Sequence, residues 1–200
     1  MQSPGFAFCI YPALTALYPD LADRRSAVQR HGQLEVNTHP TMAPLLAGIT
    51  ARLEVELEPA KVLVGRQLVM TTLAAWGDTI FWGRIRPAAS ICGVLMALNC
   101  LFWPMGGLVA LILYNVPNMF VRIRGFETGW IYGLEVLSFF RSPKLRRLVV
   151  LQKKALCCLA GIAAATAILA AAGRIGMDPG LWERLTTVGV LIFSIVLGMG

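Results

Sequence analysis

Two short stretches of this chain carry side chains whose types and spacing could do chemistry. One is Asn37-Thr38-His39-Pro40. The other is Trp76-Gly77-Asp78-Thr79-Ile80-Phe81-Trp82, which sets a lone carboxylate in an otherwise apolar part of the run from Val62 to Pro117. Amide, hydroxyl and imidazole groups read a ligand's hydroxyls by donor–acceptor pairing. A carboxylate accepts two or more hydrogen bonds and so orients a hydroxyl-rich ring. An acid at membrane depth is costly, and it therefore faces a cavity, a partner or a ligand. Plainer readings stand beside these. Asp78 would cap a half-helix beginning near Thr79, and Asn37 or Thr38 would cap a helix opened by Pro40. The two kinds of role are compatible. Trp82, next to the Gly-Asp pair, is a candidate stacking platform, whereas Trp76 and Trp103 read as interface anchors.

Other chemistry has little to stand on. No acid/base pair and no metal-ligand spacing is visible, so no catalytic residue, no metal and no cofactor is expected. His31 lies in a polar helix and His39 has no partner nearby in sequence, so neither reads as a phosphate carrier. The five cysteines (Cys9, Cys92, Cys100, Cys157, Cys158) are odd in number and lack a C-x-x-C pair, which makes them small apolar fillers.

These groups need a membrane scaffold. A chain of 200 residues with 56% hydrophobic and 14% charged residues and mean hydropathy +0.65 cannot solvate its surface as a soluble domain does, where about a quarter of residues are charged. The net charge of +7 would suit nucleic acid, but its placement argues against that. Arg122, Arg124, Arg141, Lys144, Arg146, Arg147, Lys153 and Lys154 fall between two apolar runs. This positive-inside pattern assigns 118–154 to the cytoplasm, where the run from Arg141 to Lys154 would also attract anionic membrane lipid.

The expected architecture is all-α and polytopic, with broken or re-entrant helices besides transmembrane ones, in a single domain of four parts. Residues 1–61 form an interfacial or re-entrant part. Within it, 4–18 is too short and proline-broken to span, Asp20 caps a helix, and Met42–Ile49 is re-entrant or packed on the protein. Glu54, Glu56 and Glu58 read as a solvated face. Residues 62–117 form a broken-helix core, with a hairpin of half-helices over Val62–Phe81. Pro87–Pro117 follows as one kinked helix or a second broken pair. The basic segment 118–154 comes next, and 155–200 carries a C-terminal transmembrane pair, Ala155–Gly173 and Thr186–Gly200, around a short loop. Pro4, Pro12 and Pro19 interrupt any leader-like apolar region, so no cleavable signal is expected.

Several motifs in collinear order resemble the IID component of the mannose/fructose/sorbose family of bacterial sugar phosphotransferase system (PTS) permeases. They are Gly5-Phe6-Ala7-Phe8 with Pro12, Tyr18-Pro19-Asp20, Asn37-Thr38-His39-Pro40, Gly77-Asp78-Thr79-Ile80-Phe81-Trp82, and Asn115-Val116-Pro117 before Arg122, the last as a turn. The family's Gly-Pro ahead of the Gly-Asp pair is Thr71-Thr72 here, and its Ala-Gly is Ala74-Ala75. Losing a glycine and a proline should leave that break less kinked. Both ends are shorter than the family's, which marks a compact or truncated member. The resemblance implies a multi-pass protein of the bacterial cytoplasmic (inner) membrane. It implies a non-phosphorylating translocation subunit in a hetero-oligomer with a IIC membrane subunit. The IIA and IIB proteins carry the phosphohistidines, and IIB phosphorylates the translocated hexose. The substrate-binding residues would be Asn37, Thr38, His39, Asp78 and Trp82. The alternative is a non-transporting paralogue with an assembly or regulatory role.

Overall fold

The computed structural model of the chain describes residues 3–99 and 104–175. They are helical nearly throughout: α1 (Ser3–Leu17), α2 (Leu21–Gln33), α3 (Ala43–Glu56), α4 (Pro59–Gly77), a π-helical segment (Asp78–Ile85), α5 (Arg86–Asn99), α6 (Pro104–Tyr132), a 3-10 turn (Gly133–Glu135), α7 (Val136–Arg141) and α8 (Pro143–Ile175). Thr186–Gly200 and Cys100 lie outside the described residues. The other four cysteines are free thiols. The described residues fall in two compact units, one within 3–81 and 116–145, the other within 82–99, 104–115 and 146–175.

In the first unit the apolar piece expected to be re-entrant or packed is packed. Helix α3 buries nearly every residue from Leu45 to Glu54, and Leu46, Ile49 and Leu53 are fully enclosed together with Ile10 and Leu14 of α1 and Val62, Val69 and Leu73 of α4. Each such side chain contributes roughly 1.5–3 kcal/mol when buried. Glycines bring α6 against α3. A Cβ at Gly48 would overlap the Phe126 carbonyl oxygen, and one at Gly129 would overlap the Leu45 carbonyl oxygen and come within 2.7 Å of the Ile49 nitrogen. Helix α6 ends at Gly133, which has φ of 51°, a conformation in which glycine carries no steric penalty. At the other end of the unit Asp20 caps α2 as expected, its Oδ2 accepting from the Ala22 and Asp23 amides at 2.9 and 3.2 Å.

Glu54 overturns one expectation. It belongs to no solvated face, because its side chain is wholly buried. Its carboxylate accepts from Tyr18 Oη at 2.6 Å, from Arg30 Nη2 at 2.7 and 2.9 Å and from His31 Nε2 at 2.6 Å. On the far side of the imidazole, Arg66 Nη1 lies 2.8 Å from His31 Nδ1. A guanidinium only donates, so Nδ1 accepts, Nε2 carries the proton, and His31 is neutral. Arg66 also donates to the carbonyls of His31 and Leu34, at 3.2 and 2.9 Å, and lies 4.7 Å from the ring centre of Phe6. It thereby ties the end of α2 to α4. Glu56 and Glu58 do sit in solvent, paired with Arg52 and Lys61.

The hairpin of half-helices expected over Val62–Phe81 is replaced by continuous helix. Thr71 and Thr72, where the resembled family has Gly-Pro, turn their hydroxyls back onto the carbonyls of Gln67 and Leu68. Helix α4 is followed directly by the π segment and then by α5, with no residue between them outside a helix. The irregularity falls at Asp78 and takes the form of a widened turn. The turn expected at Asn115–Pro117 is likewise absent, since α6 runs through Pro117. In the second unit α5 and the first half of α6 make the helix pair allowed for Pro87–Pro117, with Gly93 set against Gly106 so closely that no Cβ fits on either.

The helical stretches Pro104–Arg141 and Pro143–Leu169 are long and apolar enough to cross a membrane. Along α6, Leu108, Leu111, Ile112, Val116, Phe120 and Ile123 are exposed, a larger apolar face than a water-bathed domain leaves bare.

The Glu54 cluster should make the fold acid-labile. Burial alone would raise the Glu54 pKa, but hydrogen bonds from His31, Arg30 and Tyr18 outweigh it and hold the value down to about 2. Burial pushes His31 down, against the pull of Glu54. Both groups bind protons more readily when unfolded, so stability is fully present above about pH 6.5. It falls first as His31's unfolded-state pKa is passed, and again from about 4.5 toward 2 for Glu54. Glu54→Gln should flatten the lower part of that profile and cost about 3–5 kcal/mol at neutral pH, by leaving buried cations short of charge. Thermal unfolding of the purified protein in detergent across pH 3–8 measures both.

Candidate functional site

The Asn37–Pro40 loop starts three residues after the Leu34 carbonyl that Arg66 holds, and it ends against α4. Asn37 is exposed, and its amide donates to Met70 Sδ at 3.2 Å. Thr38 is 8% exposed, and its hydroxyl has no hydrogen-bond partner among the described residues. His39 is buried. Its Nδ1 accepts from the Thr41 amide at 3.2 Å, which places the proton on Nε2. The imidazole stacks on Phe81, ring centres 5.3 Å apart and planes 20° from parallel. Its Cβ and Cγ lie against Gly77 so closely that a Cβ there would overlap them. Gly77 and Phe81, one turn apart, form a seat for the histidine: the glycine gives the space and the ring gives the wall.

The two motifs singled out by sequence therefore meet. Asp78 follows Gly77, exposed, and its charge reaches His39. Burial pushes the His39 pKa down, Asp78 opposes that, and Arg122 reinforces it. The result at neutral pH is an uncharged imidazole. The capping roles considered for these residues do not hold. Asp78 has helical backbone angles, φ −61° and ψ −43°, and its amide bonds back to Ala74 and Ala75, so no helix starts at Thr79 for it to cap. Helix α3 starts at Ala43 with Met42 at its N-cap and no side-chain cap bond, so neither Asn37 nor Thr38 caps it. Trp82 is half exposed and falls in the second unit.

Sequence reasoning gave no site role to four members of this neighbourhood. Thr41 is fully buried and donates from Oγ1 to Asn118 Oδ1 at 3.0 Å, fastening the loop to α6. Phe81 entered only as part of the Gly77–Trp82 motif, and Arg122 only as a topological charge and the end of the motif that begins at Asn115. The only signal for Asn118 was its place directly after Asn115-Val116-Pro117. Among the described residues no group of three His, Cys, Asp or Glu could hold a metal ion.

Helices of spanning length, a bare apolar face and a polar loop seated on a Gly-Asp helix segment define an all-α membrane protein with a built polar locus. Over residues 1–170 the chain matches the family described as the PTS system mannose/fructose/sorbose family IID component, and it belongs to that family. It is 30% identical over 154 residues to the fructose permease IID component of Bacillus subtilis, covering 74% of this chain and 55% of that one. It is 30% identical over 155 residues to the mannose-specific EIID component of Escherichia coli K12, covering 74% and 54%. A solved structure of the mannose transporter ManYZ in complex with microcin E492 is similar to it with a TM-score of 0.59 and 28% identity, covering 81% of this chain and 61% of that one. The chain spans about half the length of the curated relatives it matches.

The glycine seat gives a direct test. Gly77→Ala should cost about 1–3 kcal/mol by overpacking against His39. Gly107→Ala, where a Cβ meets nothing within 4 Å, should be neutral or stabilising by up to about 1 kcal/mol. Unfolding free energies of the two variants in detergent decide it, and equal losses would contradict the seat.

Proposed function

We propose that this chain is the non-phosphorylating membrane subunit of a mannose-type sugar phosphotransferase permease in a bacterial cytoplasmic membrane. It pairs with a IIC subunit, and the pair binds a hexose outside and presents it inward to IIB, which phosphorylates it with phosphate passed from IIA. Asn37, Thr38, His39 and Asp78 bind or shape the site for the sugar. The observation that carries this reading is the Thr38 hydroxyl, buried without a partner among the described residues beside a neutral histidine that Asp78 acts upon. A buried hydroxyl left unpaired is costly, and a hexose hydroxyl is a fitting partner for it. The chain supplies no nucleophile, metal ligand set or general base. It orders hydrogen-bonding groups around a neutral ring.

A second reading has its own support. The unbroken helix at Thr71 and Thr72 stands where other family members carry Gly-Pro, which suits a paralogue that assembles or regulates a permease without transporting.

Phosphoenolpyruvate-dependent hexose uptake separates the two. Cells expressing the chain with its IIC, IIA and IIB partners should take up hexose, and cells lacking it should not. Asp78→Asn should lower uptake at least tenfold with assembly intact. Equal uptake with and without the chain, at confirmed expression, would favour the regulatory paralogue, and unaltered uptake by Asp78→Asn would remove that residue from the site.

A further inference from the structure

The first turns of α8 carry a feature that the sugar site leaves unused. Arg146, Arg147, Val150, Leu151 and Lys154 line an open cleft of about 370 Å³. All five side chains are exposed, Val150 and Leu151 by 51% and 63%, and no ion pair engages the three cations among the described residues. On the other side of these turns Leu145 is buried and Val149 and Gln152 are half-buried. The cleft face thus has two cationic ends, Arg146 with Arg147 and then Lys154. They are separated by roughly 10 Å of helix at 1.5 Å per residue, with an apolar step between them. Immediately beyond Lys154 the helix becomes the uncharged stretch Ala155–Leu169, part of the segment long and apolar enough to span.

We propose that this cleft is a binding site for the headgroup of an anionic phospholipid. The guanidinium and ammonium groups hold the phosphate, and Val150 and Leu151 receive the first methylenes of an acyl chain. Charge selects the ligand class, since basic clusters at the membrane end of a helix attract anionic headgroups. Arginine adds bidentate phosphate geometry. The apolar step selects lipid over an acidic protein surface or free phosphate, neither of which has use for two exposed aliphatic side chains between cations. Position does the same, because the cleft sits where a spanning helix meets the headgroup layer.

The test uses the full chain purified in detergent and exchanged into nanodiscs of phosphatidylcholine doped with phosphatidylglycerol, with lipid retention read by native mass spectrometry after release. The parent should retain phosphatidylglycerol over phosphatidylcholine. Arg146→Gln with Arg147→Gln and Lys154→Gln should cut that retention at least fivefold. The control Arg124→Gln, which removes a cation already paired with Glu127, should leave it unchanged, and Arg146→Lys with Arg147→Lys should keep most of it. A Val150→Ser, Leu151→Ser variant should lose retention while keeping all three charges. Three results would overturn the proposal: equal retention by parent and triple glutamine variant; displacement of the lipid by millimolar inorganic phosphate alone, which would mark a simple phosphate site; or loss of a soluble protein partner from the triple variant while lipid retention is unaltered.

Discussion

The described structure of the first unit depends on Arg66 being buried. A guanidinium enclosed in a helical core is costly unless its donors are met, and the end of α2 meets those of both Nη groups with the Nδ1 and carbonyl of His31 and the carbonyl of Leu34, while Nε has no partner among the described residues. That arrangement fixes the tautomer of His31, which in turn fixes Glu54 as its acceptor, and Glu54 gathers Arg30 and Tyr18. One cation thus specifies how α1, α2, α3 and α4 meet. Its energetic role is asymmetric: the assembled cluster adds modestly to stability, while an incomplete one would be severely destabilising. It also fixes where the next residues must go. The Asn37–Pro40 loop leaves the anchored end of α2, so its approach to α4 is set before its own side chains make a contact.

That order explains the division of labour at the candidate site. Position comes from groups that no ligand needs to touch: Arg66 at the start of the loop, Thr41 and Asn118 at its end, Gly77 and Phe81 beneath His39. The Thr38 hydroxyl has no partner among the described residues, and Asn37 and Asp78 are exposed. The π-helical passage at Asp78 belongs to the same logic, since a widened turn changes which side chains face one way while keeping backbone hydrogen bonds satisfied.

Much of this was legible in the sequence because local chemistry determined it. Asp20 as a cap follows from a pattern within a few residues and the membrane class from composition, while a packed Met42–Ile49 piece and a split Pro87–Pro117 were each one of two readings that the local pattern left open. The family was legible because its motifs occur in order. Other features depend on partners far along the chain and were read wrongly or not at all. In Arg-Leu-Glu-Val-Glu-Leu-Glu the three glutamates look alike, and only the arrival of His31 and Arg30 separates Glu54 from Glu56 and Glu58. The hairpin expected at Gly77-Asp78 carried over a break for which this chain lacks the proline, and Thr71 and Thr72 keep the helix whole. Pro117 suggested a turn, but a proline within a long helix removes one hydrogen bond without reversing the chain. Asn118 and Thr41, seventy-seven residues apart, had no local signal to join them.

The central claim is that the seated loop leaves polar atoms for a hexose, and the Thr38 hydroxyl tests it most directly. Thr38→Val keeps the shape of the side chain and removes only an oxygen that no described group uses. Equilibrium binding of labelled hexose to the reconstituted membrane complex, parent against Thr38→Val, is the measurement. The account predicts an affinity about tenfold weaker, the worth of one lost hydrogen bond, with an unchanged or slightly raised melting temperature. Unchanged affinity in a variant that melts as the parent does would contradict it.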